Sequence, residues 1–412
     1  MSTVTLMERG CYMYETVLDL PINSGAYKIA VVTETWLPDI NGVALTLANM
    51  VRGMKQKGYA IDVYYSSTKH NENTDLIADH EFLLPGFKLP FYKEVKVGLP
   101  AKHTLKKMWG ENLPDVVLVV TEGPLGTSAI KVAHKFGIPV VSEFHTNFDQ
   151  YCRYYHLGFL LGLTRRYLRR FHNKTDITLV PTRVLQDELH SQGYDNVGVL
   201  SRGVDTELFH PSRRDNALRK SWGINEDDLA VIFVGRLAAE KNLPLAVKAF
   251  QAIKTRDPKA RFILVGDGPM RQTLEIENPD FIFCGVKKKE ALARHYASAD
   301  LFISPSMSET FGNTLIEAMA SNLPSVSFNY AATQENITHG VNGIAVPFGD
   351  NEGFIQAVVE IITSKSYMKK LGMQAREKAE ELSWNSIYDK FDVILSELIE
   401  EEIECDQLFR TT

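Results

Sequence analysis

The sequence predicts an α/β chain built as two doubly wound, parallel-sheet domains. Three observations predict it. Short runs of Val, Ile, Leu and Phe alternate with helix-period segments along most of the chain, the pattern of parallel strands covered on both faces and joined by helical crossovers. The alternation breaks near residues 201–205 and restarts at residue 230, as two similar halves would. At 412 residues the chain is too long for one ordinary core, and two domains of roughly 200 residues are expected.

The first strand is Lys28–Thr33. A loop from Glu34 to Gly42 leads to a helix from about Val43 to Lys57, which Gly58 stops, and Ile61–Tyr65 is the next strand. Val116–Val120, Pro139–Phe144, Ile177–Val180 and Val197–Leu200 continue the sheet. Ser201-Arg202-Gly203-Val204-Asp205 reads as the linker between halves. The second half opens with Ala230–Val234, a helix from about Leu243 to Lys254, and Phe262–Val265. Phe281–Phe283, Leu301–Ser304, a helix opening at Gly312 and Asn313, and Ser325–Phe328 follow, and a last helix starts near Ser383-Trp384. The expected division is an extension over 1–27, a first domain over 28–203, a second over 204–383, and a closing helix with a tail over 384–412. In open parallel sheets ligands bind beyond the carboxyl ends of the strands.

Hydrophobic content of 44% and charged content of 23% are those of a soluble globular protein. Cys11, Cys152, Cys284 and Cys405 show neither pairing nor metal spacing, so reduced thiols in a cytoplasm are expected. No apolar run reaches the length of a membrane-spanning helix. Residues 1–27 contain Glu8, Glu15 and Asp19 and lack the basic start and apolar run of a signal peptide.

The net charge of −6 hides an asymmetry. Residues 84–109 carry six lysines against Glu94, a local +5, and residues 153–174 carry five arginines and Lys174 with no acid. The tail reverses the sign with Glu400, Glu401, Glu402, Glu404 and Asp406. Phe87, Leu89, Phe91, Tyr92 and Trp109 interleave with the first basic stretch, and the apolar segment 157–163 precedes the arginines of the second. Basic and apolar residues on one surface suit an anionic membrane face. Nucleic acid is not an expected partner, given the acidic total and the lack of any nucleic-acid module.

The strongest chemical signal lies between Pro305 and Ala320, where Glu309 and Glu317 stand eight residues apart. Glu309 falls in the loop before a helix and Glu317 about a turn and a half into it. Eight helical residues span about 12 Å, which matches the distance from the sugar to the ribose of a nucleotide diphosphate sugar. The unpaired N–H groups at the helix start lie between the two acids, where a diphosphate needs them. In Gly235-Arg236-Leu237-Ala238-Ala239-Glu240-Lys241-Asn242, Arg236 offers a planar fork of donors and Lys241 a point charge. Both suit a diphosphate leaving group whose charge grows as the glycosidic bond breaks.

Weaker signals surround these. Gly42, at a loop–helix junction after Asn41, lets backbone approach a ligand without a Cβ in the way. His145 closes the strand Pro139–Phe144 at its carboxyl end, and Asp149 follows it. Gly266-Asp267-Gly268-Pro269 follows a strand but has Arg271 where a third glycine would stand, so the dinucleotide fingerprint fails and an NAD-dependent oxidoreductase is disfavoured. No Asp-x-Asp occurs anywhere, so no metal is expected on the diphosphate. No residue looks like a covalent nucleophile with an adjacent base.

The E-x7-E string Ser308-Glu309-Thr310-Phe311-Gly312-Asn313-Thr314-Leu315-Ile316-Glu317, together with Gly235–Asn242 and Gly266–Pro269, resembles the signatures of the retaining glycosyltransferases of family four, over roughly residues 28–395. The resemblance implies the GT-B fold, two facing Rossmann-like domains, and a metal-independent hexosyltransferase with same-face attack. It implies that Glu309 and His145 contact the transferred sugar, that Arg236 and Lys241 hold the diphosphate, and that Glu317 holds the ribose. Gly42, Gly266, Gly268, Phe311, Gly312, Asn313 and Thr314 would surround the donor, and the backbone near Val286 would hold the nucleobase. Asn41 and Asp149 fall on the acceptor side. The last helix would cross back onto the first domain.

With Glu34-Thr35-Trp36-Leu37-Pro38 ahead of it, the first loop is similar to that of bacterial α-mannosyltransferases, which favours GDP-mannose and a lipid or glycan acceptor. A UDP-glucose- or UDP-glucuronate-dependent diacylglycerol glycosyltransferase is the alternative, and a nucleotide-sugar-binding protein without turnover is another. A lipid acceptor places the enzyme peripherally on the inner face of the plasma membrane; oligomeric state is left open. One segment departs from the family: Asn329-Tyr330-Ala331-Ala332 stands where many relatives carry a glycine pair.

Overall fold

The computed structural model describes residues 27–39, 42–66, 76–89, 92–144, 161–307 and 312–410. The first half runs β1 (Lys28–Thr33), α1 (Gly42–Gln56), β2 (Ala60–Ser66), β3 (His80–Leu84), β4 (Gly86–Leu89), β5 (Tyr92–Gly98), α2 (Lys102–Glu111), β6 (Val116–Val119) and α3 (Pro124–Phe136). It continues with β7 (Val140–Glu143), α4 (Leu161–His172), β8 (Ile177–Val180), α5 (Arg183–Ser191) and β9 (Val197–Val199). The second half runs α6 (Asn216–Ser221), β10 (Ala230–Val234), α7 (Leu243–Arg256), β11 (Arg261–Val265), α8 (Arg271–Glu277), β12 (Ile282–Gly285), α9 (Lys289–Ser298) and β13 (Leu301–Ser304). Then come α10 (Asn313–Ala320), β14 (Ser325–Phe328), α11 (Ala332–Asn336), β15 (Ile344–Val346), α12 (Asn351–Ile361), α13 (Lys365–Glu380) and α14 (Trp384–Arg410).

Two parallel sheets result, in the orders β3-β2-β1-β6-β7-β8-β9 and β12-β11-β10-β13-β14-β15. Both reverse direction at the same place in the winding, between β1 and β6 and between β10 and β13. A crevice opens at the carboxyl ends there, because the flanking crossovers leave on opposite faces. Each sheet is buried on both sides. Ile29, Val31, Ile61 and Val63 pack toward α1 on one face of the first sheet, and Ala30, Val32, Val117 and Val119 toward α2 and α3 on the other. The second sheet divides its apolar residues the same way. Burial on both faces is why these strands read as near-continuous apolar runs.

The last helix leaves the second domain and lies on the first. Ile387, Phe391, Leu395 and Ile399 join the core under α1, and the Tyr59 phenol donates to Asp392 at 2.6 Å. The chain crosses between domains twice, side by side. Val204 N–H donates to the Leu382 carbonyl at 2.8 Å, and Trp384 N–H to the Val204 carbonyl at 3.3 Å. Gly203 admits the Trp384 ring, which would lie 2.4 Å from any Cβ there.

Several elements differ from the sequence reading. β3, the β4–β5 hairpin and β15 were not expected. β3 is an edge strand carrying His80 and Glu81, so it lacks the apolar run of a central strand. The hairpin pairs Gly86 with Gly98 inside the lysine-rich stretch. Trp109, taken above as part of a basic and apolar surface, is fully buried beneath α2. Lys96 of the same stretch is tied to Asp39 at 2.6 Å rather than presented freely. Tyr27, assigned to the extension, accepts a bond from Ala60 N–H at 3.0 Å beside β1. Among the described residues no helix is long and apolar enough to cross a membrane.

Candidate active site

Five loops at the carboxyl ends of β12, β11, β10, β13 and β14 lie side by side, in the order of the strands that carry them. Backbone bonds lock neighbouring loops together. Gly266 N–H donates to Gly285 O, Gly235 N–H to Val265 O, and Leu237 N–H to Asp267 O, each at 2.9–3.0 Å. Met307 N–H donates to Glu240 O at 3.0 Å, which joins the turn holding Arg236 and Lys241 to the loop entering the E-x7-E segment.

The glycines explain how the loops come so close. A Cβ on Gly266 would meet Gly235 O at 1.9 Å, and one on Gly268 would meet Leu237 O at 2.5 Å. Their identity is therefore set by loop-on-loop packing at the base of the site. Val286 follows the last of these loops and is exposed. Arg236 is also largely exposed, and its contact with Glu240 is long at 3.9 Å.

Gly312 opens α10 in the left-handed conformation, with φ 72° and ψ 40°. A Cβ there would meet that of Ala332 at 2.4 Å, so only glycine lets the helix start abut α11. Beside it lies a recess lined by Ser304, Ser306, Gly312, Thr314, Tyr330 and Thr333. Hydroxyls and the N–H groups of a helix start together make a surface for anions and sugar hydroxyls. Asn313 begins the helix and is exposed. Ala331, at the other wall, holds φ 49° and ψ −121°, backbone that glycine adopts without cost. The glycine-pair departure thus falls where the backbone asks for glycine.

Glu317 sits on the fifth residue of α10 and accepts a bond from the fully buried Tyr296 phenol at 3.0 Å. Burial lifts its carboxyl to about 7, with the Tyr296 bond pulling the other way.

The first domain contributes a second carboxyl edge. Glu34, just beyond β1, is buried; its Oε1 accepts from Gly98 N–H at 3.0 Å and its own N–H donates to Thr121 at 2.9 Å. Burial lifts its carboxyl to about 7; the N–H groups of Gly98 and Leu125 oppose the rise, and Glu122 adds to it. The residue therefore ties the end of β5 to the start of α3.

Gly42 opens α1, and its nearest neighbour in the Cβ direction is the Arg202 guanidinium, 3.9 Å away. Burial holds the Arg202 pKa down while Glu143, ending β7, raises it. Arg202 stands at the cleft on the interdomain linker and was read from sequence only as part of that linker. Nothing local marks it, since its neighbours, the α1 start at Gly42 and the β7 end at Glu143, are distant in sequence. Asn41, His145, Asp149, Glu309 and Phe311 lie outside the described residues. Among the described residues no three His, Cys, Asp or Glu side chains group as a metal site would require.

Residues 40–208 match the family described as Glycosyltransferase Family 4, and residues 228–364 match Glycosyl transferases group 1. A GDP-mannose-dependent alpha-mannosyltransferase of Corynebacterium glutamicum is 30% identical over 362 residues, 87% of this chain and 86% of that protein. An alpha-monoglucosyldiacylglycerol synthase of Acholeplasma laidlawii is 27% identical, with 84% of this chain and 91% of that protein covered. Among solved structures, sucrose-phosphate synthase from Thermosynechococcus elongatus superposes with a TM-score of 0.69 at 17% identity, covering 91% of this chain and all of that one. The Anabaena protein HepE in complex with UDP and glucose gives a TM-score of 0.66 at 17% identity, covering 90% of this chain. The two wound sheets, the zippered loops at their carboxyl ends and these matches place the chain among the family 4 glycosyltransferases, as an enzyme of the GT-B fold.

Proposed function

We propose that this enzyme transfers mannose from GDP-mannose to a lipid acceptor, with retention at the anomeric carbon and without a metal ion. The observation that carries the reading is the shared edge formed by the Arg236–Lys241 turn, the Gly312 helix start and Glu317, on loops bonded to one another. In this reading Arg236, Lys241 and the N–H groups at α10 take up the charge of the departing diphosphate. Glu317 holds the ribose hydroxyls, and the backbone near Val286 runs along the nucleobase. Gly266 and Gly268 form the floor, while Thr314 and Asn313 line the diphosphate side. Glu309 and His145 position the sugar, Phe311 flanks it, and the leaving phosphate accepts the acceptor proton. Gly42 brings backbone to the donor from the first domain, and Asn41 and Asp149 meet the acceptor. Domains bounded at 28–203 and 204–383, with 384–412 returning to the first, fit this division of labour.

The donor is favoured by the GDP-mannose-dependent relative that covers most of the chain. A second reading, UDP-glucose to diacylglycerol, is favoured by the glucolipid synthase relative. The lipid side is supported by one face of the first domain. There α2, α3 and α4 lie side by side, with Ala101 N–H bonded to Ser128 and Thr127 to Tyr167. Lys106 and Lys102 crowd Lys135 and depress its pKa, which marks dense positive charge. Leu163 and Tyr167 are exposed beside the arginines of α4. Such a face suits peripheral attachment to an anionic inner leaflet.

The test offers GDP-mannose, UDP-glucose and UDP-glucuronate with anionic liposomes containing diacylglycerol and phosphatidylinositol, in EDTA. Labelled α-mannolipid from GDP-mannose alone is expected. Label from UDP-glucose alone would install the second reading, and activity only after Mn²⁺ addition would overturn metal independence.

A further inference from the structure

We infer that Tyr296 is a positioning residue for nucleotide binding: its phenol holds the Glu317 carboxylate in the orientation that meets the ribose diol. The inference rests on the ribose role of Glu317 proposed above and extends it to a residue on a different helix. Tyr296 lies on α9, 21 positions before Glu317, and is 0% exposed. Its ring is clamped edge-on by Phe209, with centroids 5.8 Å apart, and tilted against Phe302 at 6.2 Å. A ring so enclosed has one rotamer, and its hydroxyl reaches Glu317 Oε2 at 3.0 Å. The phenol O–H donates and the carboxyl Oε2 accepts.

The bond is placed to restrict a mobile group. A glutamate side chain has three rotatable bonds, and a diol needs both carboxylate oxygens presented in one plane. Ala318, Met319 and Leu315 of α10 are buried, so the helix itself is held, and the remaining freedom belongs to the Glu317 side chain. Tyr296 removes that freedom before the nucleotide arrives. It touches neither donor nor acceptor in this account and acts only through Glu317.

The test is a double-mutant cycle read by titration calorimetry. The probes are whichever of GDP and UDP the wild type binds more tightly, and its 2′,3′-dideoxy form. Wild type should bind the ribonucleotide at least tenfold more tightly than the dideoxy form. Tyr296→Phe, which keeps the ring, should lose about tenfold for the ribonucleotide and nothing for the dideoxy form. On a Glu317→Ala background, which removes the acceptor, the same change should cost nothing further; in the otherwise wild-type enzyme Tyr296→Phe should raise KM and leave kcat at saturating donor unchanged. Equal weakening of both probes, or additivity on the Glu317→Ala background, would make Tyr296 a merely structural residue and overturn the inference. Wild type binding both probes equally would instead remove the ribose role of Glu317 itself.

Discussion

Gly312→Ala tests the geometry of the α10 start most sharply. Gly312 holds φ 72° and ψ 40°, and the new Cβ would stand 2.4 Å from the Ala332 Cβ. The left-handed conformation costs an L-residue about 1–2 kcal/mol. Carbon atoms rest about 3.5–4.0 Å apart, so α10 or α11 must move by about 1 Å. Overpacking of this kind adds about 1–3 kcal/mol. Neither side yields cheaply, because Ala332 is buried and Ala331 beside it already sits at φ 49°. A total of about 3 kcal/mol lowers the melting midpoint by roughly 6–12 °C for a domain of this size. Displacing the helix start also moves the N–H groups proposed to face the diphosphate, so affinity for GDP or UDP should fall at least tenfold. Differential scanning fluorimetry and titration calorimetry read the two effects. Adding Ala332→Gly removes the opposing carbon and should restore part of the midpoint, leaving the backbone cost. A Gly312→Ala protein with wild-type midpoint and affinity would refute the reasoning.

Arg236→Ala and Lys241→Ala should each lower kcat by about 10²–10³, as loss of one electrostatic donor does; for Arg236, which is 68% exposed with a long contact to Glu240, circular dichroism and melting should be unchanged. Ala331→Gly should stabilise by about 1 kcal/mol, since it relieves strain typical of that backbone region, and denaturant midpoints would show it. Glu34 carries a folded pKa of about 7 against 4.5 for the exposed group. Its neutral form is the one the fold tolerates, so stability is full below about pH 4.5 and is lost as pH rises toward 7. Glu317 adds a change of the same sign. Glu34→Gln should flatten urea midpoints measured across that window, by on the order of 3 kcal/mol at most.

What sequence revealed and what it hid follow from how each residue earns its place. β1, β8, β10, β13 and β14 were legible to the residue, because a strand covered on both faces is apolar at every position and bounded by polar turns. β3 was not, because an edge strand needs only one apolar neighbour and can carry His80 and Glu81. The hairpin was hidden by its lysines, one of which, Lys96, finds its partner, Asp39, 57 residues away. Trp109 looked like a surface anchor among charges, yet helix periodicity turns it inward with Leu105. The Arg236, Lys241, Gly312 and Glu317 loops were visible as motifs, since each occupies one contiguous string. Tyr296 and Arg202 were not, because one meets its partner through packing between two helices and the other lies against the α1 start and the β7 end, far from it in sequence. Gly266 and Gly268 were visible as glycines, but the reason for them, the Gly235 and Leu237 carbonyls pressed against them, is tertiary.

The central claim is that the second domain binds a nucleoside diphosphate through the Arg236–Lys241 turn and the α10 start. The most direct measurement is a calorimetric panel of GDP, UDP, ADP and NAD against wild type and the Arg236→Ala/Lys241→Ala double variant. Binding of GDP by wild type, at least hundredfold weaker in a double variant that melts normally, is the predicted result. Binding of NAD alone, or equal GDP affinity in both proteins, would contradict the account.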